Sequence, residues 1–468
     1  MGHFPAIQAA HVAGSASRHK DIPSRQFGGR SFQVQQVPLR ASPSLFYFAP
    51  RDSVFRACAW LGVGLSLFAL SSLPQRLSPW AAASVWAVLW LLYLSFVNIG
   101  QTFYGFGWET LLCEVGFFTI FAGSSSMAPN LWLIWIWRWT LFRLMFGAGL
   151  IKLRGDACWR DLSCLDYHHE TQPMPGPMSW FFHHLPKPLH RVEVAGNHFA
   201  QLVVPFALFA PQPVASMAAA IVMVTQLWLV LSGNFAWLNW LTIILACSAI
   251  DHSAFASVLP VPAPPAVPGP PLWFAAVVIA FTAVTVALSF WPVRNMVSSH
   301  QRMNAAFNPI HLINTYGAFG SVGRTRLEVV IEGTDEPEVT EQTLWKEYGF
   351  KGKPGDPHRW PRQWAPYHLR LDWLMWFAAL TPHHARDWLG PFVIRLLQND
   401  APTLRLLRHN PFPESPPRYV RAQLYEYRFT SWDELRRERL WWRRTVVGEY
   451  LPPIALGTGQ SVPHGLPD

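Results

Sequence analysis

Residues 103–114 read Phe103-Tyr104-Gly105-Phe106-Gly107-Trp108-Glu109-Thr110-Leu111-Leu112-Cys113-Glu114 and open a long apolar segment. After a short polar break, a second apolar segment carries Arg138 and Arg143. Each segment is about as long as a helix that spans a bilayer, which needs roughly 20 residues. Because a charge at bilayer depth costs about 2.5 kcal/mol or more, each of these acidic and basic side chains is expected to have a partner.

The two apolar segments predict an antiparallel hairpin that turns near Ser126. In such a hairpin Glu114 lies at the depth of Arg138, and Glu109 lies at the depth of Arg143. We therefore predict two intramembrane ion pairs, Glu114 with Arg138 and Glu109 with Arg143. Paired buried charges often specify geometry rather than react, so a structural role is favoured over a direct chemical one.

The composition indicates a multi-pass membrane protein. Of the 468 residues 51% are hydrophobic and only 14% are charged, against about 25% charged in ordinary soluble domains. Apolar segments predict seven to eight helices, at 53–73, 79–98, 102–123, 129–151, 197–211, 214–231, 235–250 and 272–291. The net charge of +9 is spread along the chain, which favours contact with anionic membrane lipid and disfavours nucleic-acid binding.

A polar loop at 152–196 interrupts the predicted helices, and loops this long in a compact domain are usually functional. The residues that we single out in it are Lys152, Arg154, Asp156, Trp159, Asp161, Asp166 and His168. Asp166 and the run His168-His169-Glu170 are residue types that bind metals. Adjacent histidines on an extended segment point opposite ways, however, so we predict hydrogen-bonded loop residues and no metal or other cofactor. The loop ends in an aromatic and histidine patch, 180–186, which suits a membrane interface.

The five cysteines divide into two groups. Cys158 and Cys164 lie in the polar loop, where they could form a local disulfide if that loop faces an oxidising compartment. Cys58, Cys113 and Cys247 lie in apolar segments and are expected to be small core residues. No C-x-x-C pair occurs, which disfavours a redox site or a structural zinc site.

The last part of the chain changes character and predicts a water-facing domain. Alternating polar and apolar residues predict strands at 326–332, 345–351, 418–430 and 441–450. We expect these strands to form a mixed, strand-rich and β-sandwich-like domain. Between them, 368–380 has the pattern of an amphipathic helix, either on the membrane surface or packed on the sheet. The residues that we single out in this part are Asn314, Tyr316, Lys353, Asp356, His368 and Asp372.

The predicted organisation therefore has three parts. A disordered or atypical tail occupies 1–44, a transmembrane helical domain occupies 45–291, and a soluble domain occupies 292–468. The tail is polar and basic and has no apolar stretch of the kind that a secretory signal needs.

Several long stretches resemble the lipase maturation factor family, over roughly residues 44–455. They include 104–112, 143–175, 348–356 and 410–413, Asn308-Pro309-Ile310-His311-Leu312-Ile313-Asn314-Thr315-Tyr316-Gly317-Ala318-Phe319-Gly320 and Ala365-Pro366-Tyr367-His368-Leu369-Arg370-Leu371-Asp372-Trp373. The resemblance implies a multi-pass membrane protein that helps secreted lipases fold and assemble into active dimers, as a chaperone with no assigned reaction. It implies the endoplasmic reticulum membrane in animals, with the C-terminal domain in the lumen, and the inner membrane in a bacterium. The family usually begins with an additional apolar segment, and its absence from 1–43 leads us to expect a lost helix or a replaced N-terminus.

Two alternatives stay open. The stretch 147–153, followed by Asp156 and Trp159, is faintly similar to vitamin K-dependent carboxylase-like membrane proteins, and that resemblance implies an enzyme with Lys152 as base. A simpler role for Lys152 is a snorkelling anchor at the membrane interface. Paired intramembrane charges also occur in transporters, but the hairpin motif is not repeated in this chain, and repeats are the usual sign of a transporter.

Overall fold

The computed structural model describes residues 38–258, 260, 262 and 266–457. Most of the tail predicted at 1–44 therefore lies outside the described residues. Those that are described form two compact units. The first unit takes 38–159, 195–226 and 240–321, and the second takes 160–194, 227–239 and 322–457, within the described ranges.

Helices dominate the chain up to Val297. They are α1 (Asp52–Leu70), α2 (Leu73–Leu77), α3 (Pro79–Ile99), α4 (Gly107–Thr119), α5 (Leu131–Arg154), α6 (Ala157–Arg160), α7 (Leu165–Thr171), α8 (Ser179–His183), α9 (Lys187–Leu202), α10 (Val204–Ala207), α11 (Val214–Ser232), α12 (Leu238–Ala246), α13 (His252–Val258), α14 (Leu272–Leu288) and α15 (Phe290–Val297). Strands and further helices follow as β1 (Arg326–Thr334), β2 (Lys346–Glu347), α16 (Arg370–Leu380), α17 (Leu389–Leu397), α18 (Ala401–Leu404), β3 (Tyr419–Phe429), α19 (Trp432–Glu438) and β4 (Trp442–Ala455).

Four helical segments of the described chain are long and apolar enough to cross a membrane. They are Asp52–Leu70, Pro79–Ile99, Val214–Ser232 and Leu272–Val297, and the bent pair Leu238–Ala249 with His252–Val258 gives a fifth if it counts as one span. The protein is therefore a membrane protein, with fewer clear spans than the seven to eight helices predicted. The segment predicted at 102–123 forms only the helix α4, whose 13 residues are about 20 Å long. The segment predicted at 197–211 is interrupted between α9 and α10.

The core of the first unit lies where α4, α5 and α14 meet. Phe118 of α4, Leu133 of α5 and Val278 of α14 are each almost completely buried in one apolar cluster. Leu312 and Ile313, from the segment after α15, belong to the same cluster. This packing holds that segment against α4 and α5, the two helices that carry the buried side chains of Glu114 and Arg143.

The second unit contains a four-stranded antiparallel sheet with the strand order β2-β1-β3-β4. β1 pairs with β3 along its whole length, from Arg326 opposite Tyr427 to Thr334 opposite Tyr419. The helix predicted at 368–380 forms as α16, and it packs on the sheet through β1. The described residues form a single sheet with this helix on it, where a second facing sheet was expected for a β-sandwich.

The segment 160–194 is part of the second unit's core. Trp180 is fully buried against Val330 of β1, Phe429 of β3 and Trp442 of β4. Its indole N–H donates to the carbonyl of Thr430 at 2.9 Å. The expectation that the aromatic patch lies at a membrane interface is therefore wrong for Trp180, because this large side chain fills space beside the sheet.

Candidate functional site

A buried carboxylate, Glu114, is the centre of a polar cluster in the first unit. It forms an ion pair with Arg143, whose side chain is only 1% exposed. Its Oε2 also accepts hydrogen bonds from the backbone N–H of Asn314 and from the hydroxyl of Tyr316, both at 2.8 Å. The hydroxyl of Thr140 completes the cluster at 3.4 Å from Oε1. The ion pair and these hydrogen bonds offset the free-energy cost of removing the Glu114 carboxylate from water.

The segment that carries Asn314 and Tyr316 reaches α5 because one position on the helix has no side chain. A Cβ atom on Gly147 would lie 2.5 Å from the carbonyl oxygen of Tyr316, which no residue but glycine allows. Arg143 then donates to the carbonyl of Asn314 at 2.6 Å. Earlier in the same segment, the Nε2 atom of His311 is 2.8 Å from the side-chain oxygen of Asn98. The first unit thus joins three separate parts of the chain through buried polar contacts.

The ion pairs predicted for the hairpin are wrong. Arg143 pairs with Glu114, whereas Arg138 donates to the backbone carbonyls of Ser248 at 3.0 Å and Leu208 at 3.2 Å. Glu109 is fully buried and accepts a hydrogen bond from the hydroxyl of Tyr93. The partner of Glu114 on α5 therefore lies five residues beyond the predicted one, about 7.5 Å along the helix at 1.5 Å per residue.

Lys152 lies at the end of α5 and is buried rather than snorkelling. Its ammonium donates to Gln201 at 2.8 Å and lies 5.2 Å from the centre of the Trp159 ring. Trp159 in turn donates to the carbonyl of Phe319 at 2.7 Å, and the ring of His198 contacts the Trp159 carbonyl at 2.9 Å. The expected interface anchor is therefore wrong, because Lys152 is only 5% exposed and belongs to an internal cluster of the first unit.

Other predicted residues near Lys152 have ordinary structural contacts. Arg154 donates to the side chain of Gln301 at 2.9 Å. The backbone N–H of Asp156 donates to the carbonyl of Gly320 at 2.8 Å, and its carboxylate accepts from the N–H of Cys158 at 3.1 Å.

The cysteines differ in their bonding. Cys158 and Cys164 are each disulfide-bonded in the structure, and Cys58, Cys113 and Cys247 are free. Cys113 is buried as expected for a core residue, but Cys247 is exposed. The expectation of a core position is therefore wrong for Cys247.

In the second unit, His168 and His169 lie on a helix rather than on an extended segment. His168 and His169 are both on α7, so their side chains diverge by about 100° around the helix. Asp166 accepts a hydrogen bond from the His190 ring at 3.0 Å, while Asp161 lies at the surface and accepts from the N–H of Ser163. Within the described residues, no group of three or more histidine, cysteine or acidic side chains is arranged to hold a metal ion.

His169 has an unusual environment. It is 1% exposed, neither of its ring nitrogens has a hydrogen-bond partner, and the nearest carboxylate, that of Glu193, is 4.0 Å away. Burial, and then the charge of the neighbouring His168, holds the pKa of His169 well below its ordinary value. The neutral imidazole is therefore the form that the fold accommodates.

We expect acidification to destabilise the second unit through His169. Because the unfolded histidine has a pKa of about 6.5 and the folded one a lower pKa, the unfolded state binds more protons as the pH falls below about 6.5. Stability is thus retained above that pH and lost progressively below it. A His169→Phe variant should lose less thermal stability than the wild type between about pH 7 and pH 4.5, whereas the exposed control His358→Phe should behave as wild type. Equal pH dependence of all three proteins would contradict this account.

The second unit has its own buried charge cluster, centred on Glu328 of β1. Its carboxylate is 2.5 Å from the guanidinium of Arg326 and 2.8 Å from the ammonium of Lys353, and all three side chains are buried. Arg326 also donates to the carbonyls of Glu170 at 2.9 Å and Pro173 at 3.0 Å. The cluster therefore ties the strand to 160–194 on one side and to the loop at 352–355 on the other.

Asp372 of α16 holds the same loop. Its Oδ1 accepts the backbone N–H groups of Gly352 at 2.6 Å and Lys353 at 3.0 Å. Burial raises the pKa of Asp372, although these hydrogen bonds oppose the shift. His368 is buried beside the start of α16, and Asp356 is exposed and accepts from the N–H of His358 at 3.0 Å.

The structure brings together only part of the predicted set. Glu114, Arg143, Asn314 and Tyr316 form one cluster, and Lys353 and Asp372 form another. The sequence reasoning missed Arg326 and Glu328. The signal was present, because these two charges are two residues apart in a predicted strand, which puts both side chains on one face of the sheet.

Comparison with known proteins identifies the family. Residues 22–257 match the lipase maturation factor transmembrane domain, and residues 312–452 match the lipase maturation factor C-terminal domain. Lipase maturation factor 1 of Bos taurus is 39% identical over 464 residues, which cover 92% of this chain and 81% of the relative. The human protein of that name is 40% identical over 431 residues, covering 85% of this chain and 74% of the relative.

A more distant relative, lipase maturation factor 2 of Xenopus tropicalis, is 29% identical over 594 residues, covering 98% of this chain and 82% of the relative. No solved structure matches the chain. Both domains of the family are matched, and the identity to two relatives is close to 40% over most of their length. The chain belongs to the lipase maturation factor family.

Proposed function

We propose that this protein is a membrane-resident maturation factor that assists the folding and assembly of secreted lipases or of other exported proteins. The observation that carries the proposal is the match to proteins named lipase maturation factors through both the transmembrane and the C-terminal domain. The membrane is that of the endoplasmic reticulum in a eukaryotic cell and the inner membrane in a bacterium.

The buried charges support a scaffold in which polar groups hold the fold together. Glu114 is satisfied by Arg143 and by groups from the segment around Asn314. Glu328 is satisfied by Arg326 and Lys353. These contacts join distant parts of the chain, which is the role that buried ion pairs fill when they specify geometry.

The surface of the second unit supports contact with a partly folded client. Large aromatic side chains are exposed there, among them Tyr367 at 65%, Trp360 at 50% and Trp432 at 48%. Aromatic side chains bury much apolar area at low entropic cost and are enriched at protein interfaces. We propose that the client binds to this unit.

The proposal is tested by secretion of a lipase from the source organism in a host with and without this chain. We expect the specific activity per mass of secreted lipase to rise when the chain is present, because more of the secreted molecules have reached the active fold. A secreted β-lactamase measured in parallel is the control, since general changes in secretion affect both enzymes. Unchanged lipase specific activity would refute the proposal for that client.

The alternative of a carboxylase-like membrane enzyme finds no support in the relatives described above, which are all named lipase maturation factors. In that alternative Lys152 is the catalytic base. In this chain the Lys152 ammonium is engaged with Gln201 and packed on Trp159. These contacts are consistent with a structural lysine.

A Lys152→Met variant should therefore retain the effect on lipase within about twofold. It loses one hydrogen bond, worth about 1 kcal/mol, and the contact of the ammonium with the Trp159 ring, while the aliphatic volume is kept. The measurement is lipase specific activity at matched expression of the two proteins. Lys187→Met, at a position 78% exposed, is the matched control. Complete loss of the effect in Lys152→Met, with a normally folded protein, would instead indicate chemistry at this amine.

A further inference from the structure

The second unit has a surface cleft with a basic and aromatic lining, which we name the arginine cleft. It is lined by residues that include Lys353, Gly355, Arg359, Trp360, Arg362 and Trp442. None of these residues belongs to the buried charge cluster of the first unit, and only Lys353 has a role in the cluster around Glu328.

The floor of the arginine cleft is fixed before any ligand binds. The Lys353 ammonium is held 2.8 Å from Glu328, and the hydroxyl of Tyr427 donates to the carbonyl of Gly355 at 2.8 Å. Arg359 donates to the carbonyl of Phe350 at 2.8 Å. A rigid floor lowers the entropic cost of binding, because the loop is already in its bound shape.

The cleft has an excess of positive charge. Lys353 shares the Glu328 carboxylate with Arg326, and the rest of the lining has Arg359 and Arg362 against the single carboxylate of Asp356. Burial, and then the charges of Arg408 and Arg362, lowers the pKa of Arg359 to about 10, so its guanidinium is still charged at neutral pH. In the part of the chain that the structure describes, the exposed Arg362 of the lining forms no salt bridge. The same holds for the exposed Arg408, which lies outside the lining but close enough for its charge to act on Arg359.

One wall of the cleft is flat and aromatic. Trp360 stacks on Trp441 with the rings 5.7 Å apart and 12° from parallel, and its indole N–H donates to the carbonyl of Pro177 at 2.9 Å. Half of the Trp360 side chain stays exposed. Prolines at 175, 354 and 361 continue the apolar lining. Rigid apolar surface beside arginines suits an extended peptide better than a small, fully polar headgroup.

We propose that the arginine cleft binds an acidic, extended segment of the client protein, with carboxylates paired to Arg362 and to the neighbouring Arg408 and apolar side chains placed on Trp360. This inference rests on the proposed function, since it names the kind of segment by which a client is held. Carboxylates are the natural partners of free guanidinium groups, because their two oxygens match the two parallel N–H donors of arginine.

The test uses the full chain in detergent micelles and fluorescence anisotropy of a labelled peptide. The probe is a peptide of about 12 residues that alternates glutamate with tryptophan and proline, and a second peptide has lysine in place of each glutamate. We compare wild type with the double variant Arg362→Glu/Arg408→Glu. The control is Arg418→Glu, at an exposed arginine immediately before β3 and outside the cleft lining, which makes at one position the charge change that the double variant makes at two.

The wild type and the Arg418→Glu control should bind the acidic peptide with similar affinity, and the double variant should bind it about tenfold or more weakly. Binding should weaken as salt rises from about 0.15 M to about 0.5 M, and the lysine peptide should not bind. Equal binding by wild type and double variant would overturn the inference. So would displacement of the peptide by dihexanoyl phosphatidylserine at an equal concentration, because the cleft would then be a lipid headgroup site.

The lipase secretion assay separates failure of this inference from failure of the proposed function. If the double variant loses peptide binding and also loses the rise in lipase specific activity, the cleft is the client site. If the double variant loses peptide binding but raises lipase activity as the wild type does, the inference is overturned and the maturation function stands. If the wild type itself has no effect on lipase, the proposed function fails, and with it the assignment of the peptide to a client.

Discussion

Replacing Glu114 by glutamine is expected to lower the free energy of unfolding of the first unit by about 3–5 kcal/mol. The substitution leaves the Arg143 guanidinium buried, at 1% exposure, without the carboxylate that balances its charge. It also weakens the acceptor for the N–H of Asn314 and the hydroxyl of Tyr316. Because proteins are stable by only about 5–15 kcal/mol, this loss is a large share of the total, and the variant should unfold at a markedly lower temperature than the wild type. The measurement is the fraction of monodisperse protein after heating in detergent.

Two further variants make this prediction specific. Glu341→Gln removes an exposed carboxylate and should leave thermal stability unchanged. Glu114→Gln combined with Arg143→Gln removes both charges and should be less destabilised than the two single changes added together. A Glu114→Gln protein as stable as wild type would contradict the buried ion pair.

The second large effect is expected for Glu328→Gln in the second unit. This change leaves Arg326 and Lys353 buried with no carboxylate to balance their two positive charges. In the native protein the Glu328 carboxylate lies 2.5 Å from the Arg326 guanidinium and 2.8 Å from the Lys353 ammonium. We expect a loss of about 3–5 kcal/mol in the stability of this unit. Limited proteolysis should detect it as faster cleavage in the loop at 352–355, which Lys353 holds in place.

The control for this change is Glu338→Gln, an exposed position in the connection after β1. It should be cleaved at the wild-type rate. Faster proteolysis of both variants would point to a general effect of charge on the protease rather than to loss of the buried cluster. Equal rates for Glu328→Gln and wild type would show that the cluster contributes little to stability.

The sequence was informative about the first unit's helices but not about their register. Apolar periodicity placed α4 and α5 and showed that Glu114 and Arg143 need partners. The pairing failed because the connection between the helices is not a symmetric turn: the N–H of Ser125 donates to Gln75 and that of Ala128 donates to Pro268. Contacts with such distant residues leave no local pattern in the sequence.

The second unit was predictable in its strands and less so in its core. Alternating polar and apolar residues located β1, β3 and β4, although β1 is buried along nearly its whole length rather than on one face. It gave no sign that 160–194 packs against the sheet, where Trp180 fills the core and Glu170 accepts the N–H of Phe429 at 2.6 Å. The hydrogen bond between Glu170 and Phe429 joins residues 259 positions apart, which periodicity within one segment cannot report.

Refolding of a denatured lipase by the purified chain tests the maturation function most directly. The lipase is diluted from denaturant into nanodiscs that contain the chain, and the yield of active enzyme is measured as the chain concentration rises. The account predicts that the yield increases and saturates with the chain, without any added small molecule, and that empty nanodiscs have no effect. A yield that is the same with the chain as with empty nanodiscs would contradict it.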